Sequence, residues 1–357
     1  MTVSDVTTTP LDQRLLDATI GTLELFGVYL GDRLGLYDTL HRKGSATVAE
    51  LAERTGIAPR YAREWLEQQA VAGVLLVDDV AAGPAERRYS LPEEHVGVVA
   101  DPGALDHLAP FGRLVVGIAS VMDEVVEAYR TGAGVPYAHY GPDFRAGQAA
   151  INRPAFSTAL VEEWLPSVGA PAERLAAGGR LADLGCGFGW STLAVARAYP
   201  EAEVWGIDND EASIVEARAT AAAEGLSVHF ECIDASALAA SGPFDVVLLL
   251  EALHDLARPV DVLSAARDAL AADGVLLVAD EAVAASFAVP GDEVERMMYG
   301  WSISHCLPAA MAEQPSAAIG TVIREGTVRD LCQQAGFGRF DVLGVDAGFF
   351  RLYAMRP

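Results

Sequence analysis

The chain has 357 residues, 51% hydrophobic and 21% charged, enough for two domains and a large core. Fifty acids against 25 bases leave a formal charge of −25, which repels phosphate backbones and anionic membranes and makes nucleic acid a poor partner. The four cysteines, Cys186, Cys232, Cys306 and Cys332, form no C-x-x-C pair, so no metal site is expected and the thiols suit a reducing cytoplasm.

Residues 1–10 have neither a basic start nor an apolar core and do not read as a secretory signal. Runs such as Val246 to Leu250 are too short to span a bilayer, so a soluble cytoplasmic protein is expected. Residues 11–40 predict a helix. Leu15, Leu16, Ile20, Leu23, Phe26 and Leu30 recur at three- and four-residue spacing until Gly31, Gly35 and Tyr37 end it. Residues 46–91 follow a winged-helix pattern. Thr47 to Arg54 is a short amphipathic helix, Thr55 to Pro59 a turn with a glycine at its corner, and Arg60 to Ala72 a second helix. Residues 73–79 and 87–91 pair as the wing. The second helix sets Arg60 and Arg63 against Glu64 and Glu67, a zero sum where a phosphate-docking helix should be net positive. This part resembles the N-terminal half of plant-type small-molecule O-methyltransferases and their bacterial relatives. There the winged helix joins subunits, which implies a homodimer.

Residues 101–170 read as mostly helical. Leu114 to Met122, with Val125 and Val126, forms an apolar helix suited to a subunit interface. Gly132 to Asp143 holds three glycines, two prolines, Tyr137, His139 and Tyr140. It reads either as a loop that closes over a ligand or as a linker between domains. Ala155 to Leu165 returns to helix.

The strand-like Leu181-Ala-Asp183 then leads into glycines at 185, 187 and 189 and a helix from Ser191. Strand, glycine loop and helix open a nucleotide-binding α/β sheet, in which the helix N-terminus offers N–H groups to an anion. The G-x-G-x-x-G spacing is absent, and so is a P-loop, since the only lysine is Lys43. A second strand ends at Asp208, 19 residues past Gly189, where an acid can accept both hydroxyls of a ribose. A third ends at Asp234, placed for an adenine edge. Later strands are expected at 244–250, 275–279, 340–345 and 349–354, with helices at 262–271 and 328–335. That order gives a Rossmann-like seven-stranded α/β domain behind a mainly α winged-helix domain.

The spacing of the three strand-end acids around Asp-x-Gly-x-Gly-x-Gly resembles class I S-adenosylmethionine (SAM)-dependent methyltransferases over roughly 170–357. The resemblance implies SAM as cofactor. It assigns binding to Asp183, Gly185, Gly187, Phe188, Gly189, Asp208, Asn209, Asp234, Ala235 and Glu251. The domains expected are 1–105 (winged helix), 106–170 (connector and lid) and 171–357 (methyltransferase), with 281–327 inserted. That insertion is aromatic and methionine-rich. It reads as an acceptor pocket, a packing helix pair, or both, with Tyr137, Tyr140, Met298, Trp301, His305 and Met311 as acceptor-contacting residues.

Methyl transfer to a hydroxyl calls for alignment and a base. His254 follows the fourth strand and precedes Asp255, matching the His-Asp pair of plant-type O-methyltransferases, although Leu256 replaces the tryptophan common there. His254, Asp255 and Glu281 are the catalytic candidates, with His305 as rival base and Asp280 or Glu281 able to orient either histidine. The expected activity is methyl transfer to a small, partly hydrophobic metabolite. The alternatives are a SAM-responsive winged-helix regulator, or an N- or C-methyltransferase relying on proximity. In its second half the chain is most similar to bacterial winged-helix methyltransferases, judging by Asp280-Glu281, 294–308 and 311–316.

Overall fold

The computed structural model describes residues 9–357. In chain order it contains α1 (Leu11–Arg33), α2 (Leu36–Lys43), α3 (Val48–Thr55), α4 (Pro59–Val71), β1 (Leu76–Val77), β2 (Tyr89–Ser90), α5 (Glu93–Val99), α6 (Pro110–Ser120), α7 (Met122–Thr131) and α8 (Gly141–Ser157). There follow α9 (Ala170–Leu175), β3 (Arg180–Leu184), α10 (Trp190–Ala198), β4 (Glu203–Asp208), α11 (Glu211–Glu224), β5 (His229–Cys232), β6 (Phe244–Leu250) and α12 (Pro259–Ala269). The last elements are β7 (Leu270–Glu281), α13 (Glu293–Trp301), α14 (Leu307–Met311), α15 (Glu325–Gln334), β8 (Arg339–Val342) and β9 (Phe350–Arg356). Two compact units result. One runs to Ser120 and adds Gly141–Pro154; the other is Val121–Tyr140 with Ala155–Pro357. Stretch 106–170 is thus shared between the units, and the apolar run from Leu114 breaks at Val121 between α6 and α7. No helix among the described residues is long and apolar enough to cross a membrane.

In the first unit, the helix expected over 11–40 breaks at Leu34–Gly35, because Gly35 takes the left-handed conformation (φ 64°). The face that α1 packs inward carries its glycines. A Cβ on Gly31 would stand 2.3 Å from the Tyr37 ring, and the Trp65 indole N–H donates to the Gly27 carbonyl at 2.9 Å. The periodic Leu15, Leu16, Ile20, Leu23 and Leu30 stay 46–61% exposed. A reciprocal capping box, Thr47 with Glu50, starts α3. Gly56 (φ 74°) turns the corner, and Pro59 opens α4. Strands β1 and β2 pair antiparallel as a short wing. Arg60 pairs with Glu64, and Arg63 with Glu67 at 3.0 Å, so α4 spends its cations on its own acids.

The second unit is built on a seven-stranded sheet of order β5-β4-β3-β6-β7-β9-β8, in which β9 alone runs against the other strands. The unbroken apolar runs of β6 and β7 fit strands covered on both faces. Leu249, Leu276 and Val278 face one core; Leu248, Leu250, Leu277 and Ala279 face the other. Strand β7 begins at Leu270, five residues ahead of expectation. The anticipated Asp273–Gly274 turn is absorbed as a register irregularity in the β6–β7 pairing. The strand order reverses beside β3. The crevice at the carboxyl ends of β3, β4 and β6 is where open α/β sheets hold ligands.

Candidate active site

Three left-handed glycines, Gly185, Gly187 and Gly189 (φ 71°, 52° and 77°), carry the chain from β3 to α10. A Cβ on Gly189 would strike the Phe230 ring at 2.9 Å, whereas Gly187 borders open space. The Gly187 N–H donates to Asp208 Oδ2 at 2.8 Å, and the Asp210 N–H to Asp208 Oδ1 at 2.8 Å, so β4's terminal acid is preset beside the loop. Burial raises the Asp208 carboxyl above its ordinary range. Asp183 lies beneath the loop and accepts from the Ser191 and Thr192 hydroxyls at 2.5 and 2.6 Å. Its contacts hold the start of α10. Burial pushes its carboxyl up to about 6 against the lowering effect of those hydroxyls. Asp234 caps the turn at Ser236 and receives Arg258 at 3.1 Å. Glu251 follows β6 at a positive φ of 50°, and its amide donates to the Ala279 carbonyl at 2.7 Å. The open space at Gly187 and the carboxylate of Asp208 fit a nucleoside with an amino-acid tail.

One turn beyond β6, His254 is only 2% exposed. Its Nδ1 lies 2.7 Å from Asp280 Oδ1, and its amide donates to Asp280 Oδ2 at 3.3 Å. Nε2 faces Asp255 Oδ1 at 3.4 Å. Burial alone would depress the imidazole, but Asp280 and Asp255 outweigh it and hold His254 well above the ordinary histidine range. Glu281, the next residue on β7, points elsewhere. Burial first, then the nearby Glu251, drives its carboxyl far upward, and its Oε2 is buried without a hydrogen-bond partner.

The rival histidine sits in a π-helical turn, Ser302–Cys306, between α13 and α14. Such turns release carbonyls from the helical ladder. Here the Tyr129 hydroxyl donates to the Ile303 carbonyl and the Tyr140 hydroxyl to the Ser304 carbonyl, both at 3.1 Å. The turn aims His305 inward, edge-on to Tyr140 (centroids 4.5 Å apart) and 5.9 Å from the Tyr137 ring. Burial, reinforced by the charge on His254, pushes His305 down to about 3 and keeps it neutral. The 132–140 stretch is latched here: the Val135 N–H donates to the Pro308 carbonyl at 2.9 Å, and Gly134 leaves no room for a Cβ against Ala312. Tyr137, Tyr140 and His305 are therefore brought together, with buried Met298 on α13 and half-buried Trp301 and Met311 at the helix ends flanking the same turn. Cys306, absent from the sequence-based site, joins His254 and Asp255 in one cluster.

A family model described as "Methyltransferase domain" matches residues 181–274, and one described as "Rv2258c-like winged HTH domain" matches 22–100. The chain carries a methyltransferase domain behind a winged helix. The ubiquinone biosynthesis O-methyltransferase of Roseobacter denitrificans is 41% identical over 97 residues, 27% of this chain and 38% of that protein. The chain thus spans about two fifths of the curated relatives it matches. Among solved structures, PigF with SAH superposes with a TM-score of 0.73 at 18% identity, covering 98% of this chain and all of that one. The mitomycin 7-O-methyltransferase MmcR gives 0.68 at 19% identity, with 97% of each chain covered. These likenesses establish a shared two-domain fold.

Proposed function

We propose that this protein takes a methyl group from SAM and transfers it to a hydroxyl of a small, partly hydrophobic molecule, with His254 as general base. The observation that carries the reading is the 2.7 Å contact between His254 Nδ1 and buried Asp280. A proton held on Nδ1 leaves Nε2 to receive the proton of the acceptor, and the Asp280 charge stabilises the imidazolium that forms. Asp280 and Asp255 hold His254 well above the ordinary histidine range, so its neutral, proton-accepting form grows as pH rises toward the pKa of an acceptor such as a phenol, near ~10. When bound, SAM supplies the electrophilic methyl on its sulfonium. Gly185, Gly187, Phe188 and Gly189 would cradle its amino-acid end with Glu251, Asp208 and Asn209 its ribose, and Asp234 and Ala235 its adenine. Tyr137, Tyr140, Met298, Trp301, His305 and Met311 would line the acceptor side.

His305 supports a second reading as base, because it stays neutral and keeps a lone pair at working pH. Its weak hold on a proton favours His254, since the drive for proton transfer falls as a base's pKa drops far below the operating pH. The exposed leucines of α1 and the self-paired charges of α4 support a homodimer joined through the winged helix rather than a DNA-reading regulator. The free cysteines suit the cytoplasm. The test is methyl transfer to a panel of phenols by His254→Gln and His305→Gln. The first should lose about 10²–10⁴ in turnover while calorimetry finds SAM affinity unchanged. Full turnover in His254→Gln would refute the assignment.

A further inference from the structure

We propose that His254, Asp255 and Cys306 form a site for a soft divalent cation, zinc above all, whose occupancy silences the histidine. The imidazole nitrogen, a carboxylate oxygen of Asp255 and the Cys306 sulfur all lie within 4.8 Å of one another. His254 Nε2 and Asp255 Oδ1 are 3.4 Å apart. Ligands bound at about 2.0–2.3 Å around a tetrahedral ion stand roughly 3.3–3.8 Å from each other. Imidazole and carboxylate already have that separation, and the sulfur needs to move about 1 Å at most.

Three further features favour an ion. Asp255 Oδ1 is buried with only the long 3.4 Å approach of His254 Nε2, and a cation would engage it more closely. Asp280 holds the other imidazole nitrogen, the support that orients metal-binding histidines. Cys306 is carried by the π-helical turn whose carbonyls Tyr129 and Tyr140 engage, which holds its backbone in place while the side chain can rotate onto the ion. The Asp255 side chain is partly exposed and gives the ion a way in.

On binding, the Cys306 thiol proton and any proton on Nε2 leave to solvent, and bonds form from sulfur, nitrogen and the Asp255 carboxylate to the cation. Thiolate and carboxylate neutralise its two charges, and one position stays open to water. A sulfur–nitrogen–oxygen set selects zinc or cobalt over magnesium or calcium. The Nε2 lone pair, once donated to the ion, can accept no proton, so zinc becomes an inhibitor.

Binding is measured without SAM or acceptor, so the result is independent of whether His254 is the base. Metal-stripped, full-length, untagged protein is titrated with Co²⁺. One equivalent should give a thiolate-to-cobalt absorption in the near ultraviolet and intense visible bands of tetrahedral cobalt, both displaced by Zn²⁺. Cys306→Ser should lose the ultraviolet band while keeping its circular dichroism and its affinity for S-adenosylhomocysteine. Cys232→Ser, altered at an exposed thiol on the far strand β5, should keep the band. Asp280→Asn should bind cobalt about 10–100-fold more weakly. No thiolate band in the wild-type protein, or a band that survives Cys306→Ser, would overturn the proposal.

Discussion

Asp280 grips His254 at two points, the imidazole Nδ1 through Oδ1 and the backbone amide through Oδ2. The same Oδ1 also accepts the Glu281 amide at 3.0 Å. The carboxylate therefore fixes both the position of the ring and the nitrogen that carries its proton. Replacing it with asparagine keeps the volume but removes the charge and permits the wrong tautomer. Asp280→Asn should lower turnover by about 10²–10⁴, with SAM affinity retained. Glu281→Gln, on the opposite face of β7, should cost less than about tenfold. Equal losses in steady-state assays of the two variants would show that neither carboxylate has a privileged role.

The pairing of Asp280 with His254 was within reach of the sequence through strand parity. Asp280 shares the parity of Leu276 and Val278, which face the core that also holds Leu253; Glu281 shares that of Leu277 and Ala279, on the other core. The sheet itself was readable, because buried strands announce themselves as apolar runs and strand-end acids fall at fixed distances from the glycine loop. The site around Cys306 was not. Nothing local in Ser302–Cys306 signals a π-helical turn, since its extra residue is stabilised by tyrosine hydroxyls from more than 160 positions away. The α1 helix misled in a different way. Its leucines recur at helical spacing, yet the residues it buries are Gly27 and Gly31, where close approach of Tyr37 and Trp65 decides the outcome, and the leucines stay exposed.

Gly134 touches the backbone of Met311 and Ala312 so closely that an added Cβ would lie 1.9 Å from the Ala312 nitrogen. Backbone cannot yield as a flexible side chain would. Gly134→Val should therefore lift the 132–140 stretch off the acceptor side, breaking the Val135–Pro308 hydrogen bond. Amide exchange over 132–140 should rise, and the acceptor KM should rise with it, while SAM binding stays unchanged. Unaltered exchange would show that the latch does not depend on this contact.

Asp183 gives the fold a pH dependence of known sign. Its carboxyl titrates at about 6 in the folded chain, against ~3.9 when unfolded. Between those values the folded state holds a proton that the unfolded state has released. The contribution of Asp183 to stability therefore falls as pH rises from about 4 to 6 and is flat above, by roughly 3 kcal/mol in all. Asp183→Asn, which still accepts from Ser191 and Thr192, should lack this component. Urea unfolding at pH 4 and pH 7 would measure it, and the stability difference between variant and wild type should shift in the variant's favour at the higher pH. A difference that stays constant across the range would contradict buried protonation.

The leucine face of α1 leads to the last prediction. Leu23, Leu30, Leu34, Ile57, Tyr61 and Trp65 line a groove of about 560 Å³ in the first unit, and Leu15, Leu16 and Ile20 continue the apolar stripe along the helix. Fully burying each large aliphatic side chain is worth about 1.5–3 kcal/mol, so an isolated chain forgoes a large stabilisation on this face alone. A two-fold partner carries the same stripe and can cover it, which is how isologous dimers close. Gly31 packs against Tyr37 and Trp65 and Gly27 borders the same groove, so the helix is seated within its own unit and the stripe does not depend on the partner for its shape. Leu23→Glu with Leu30→Glu places charges in the groove and should leave that inward packing intact. Light scattering should find the wild-type protein as a dimer at micromolar concentration and the double variant as a monomer of unchanged helicity. A wild-type monomer, or a double variant that still dimerises, would assign the stripe another role.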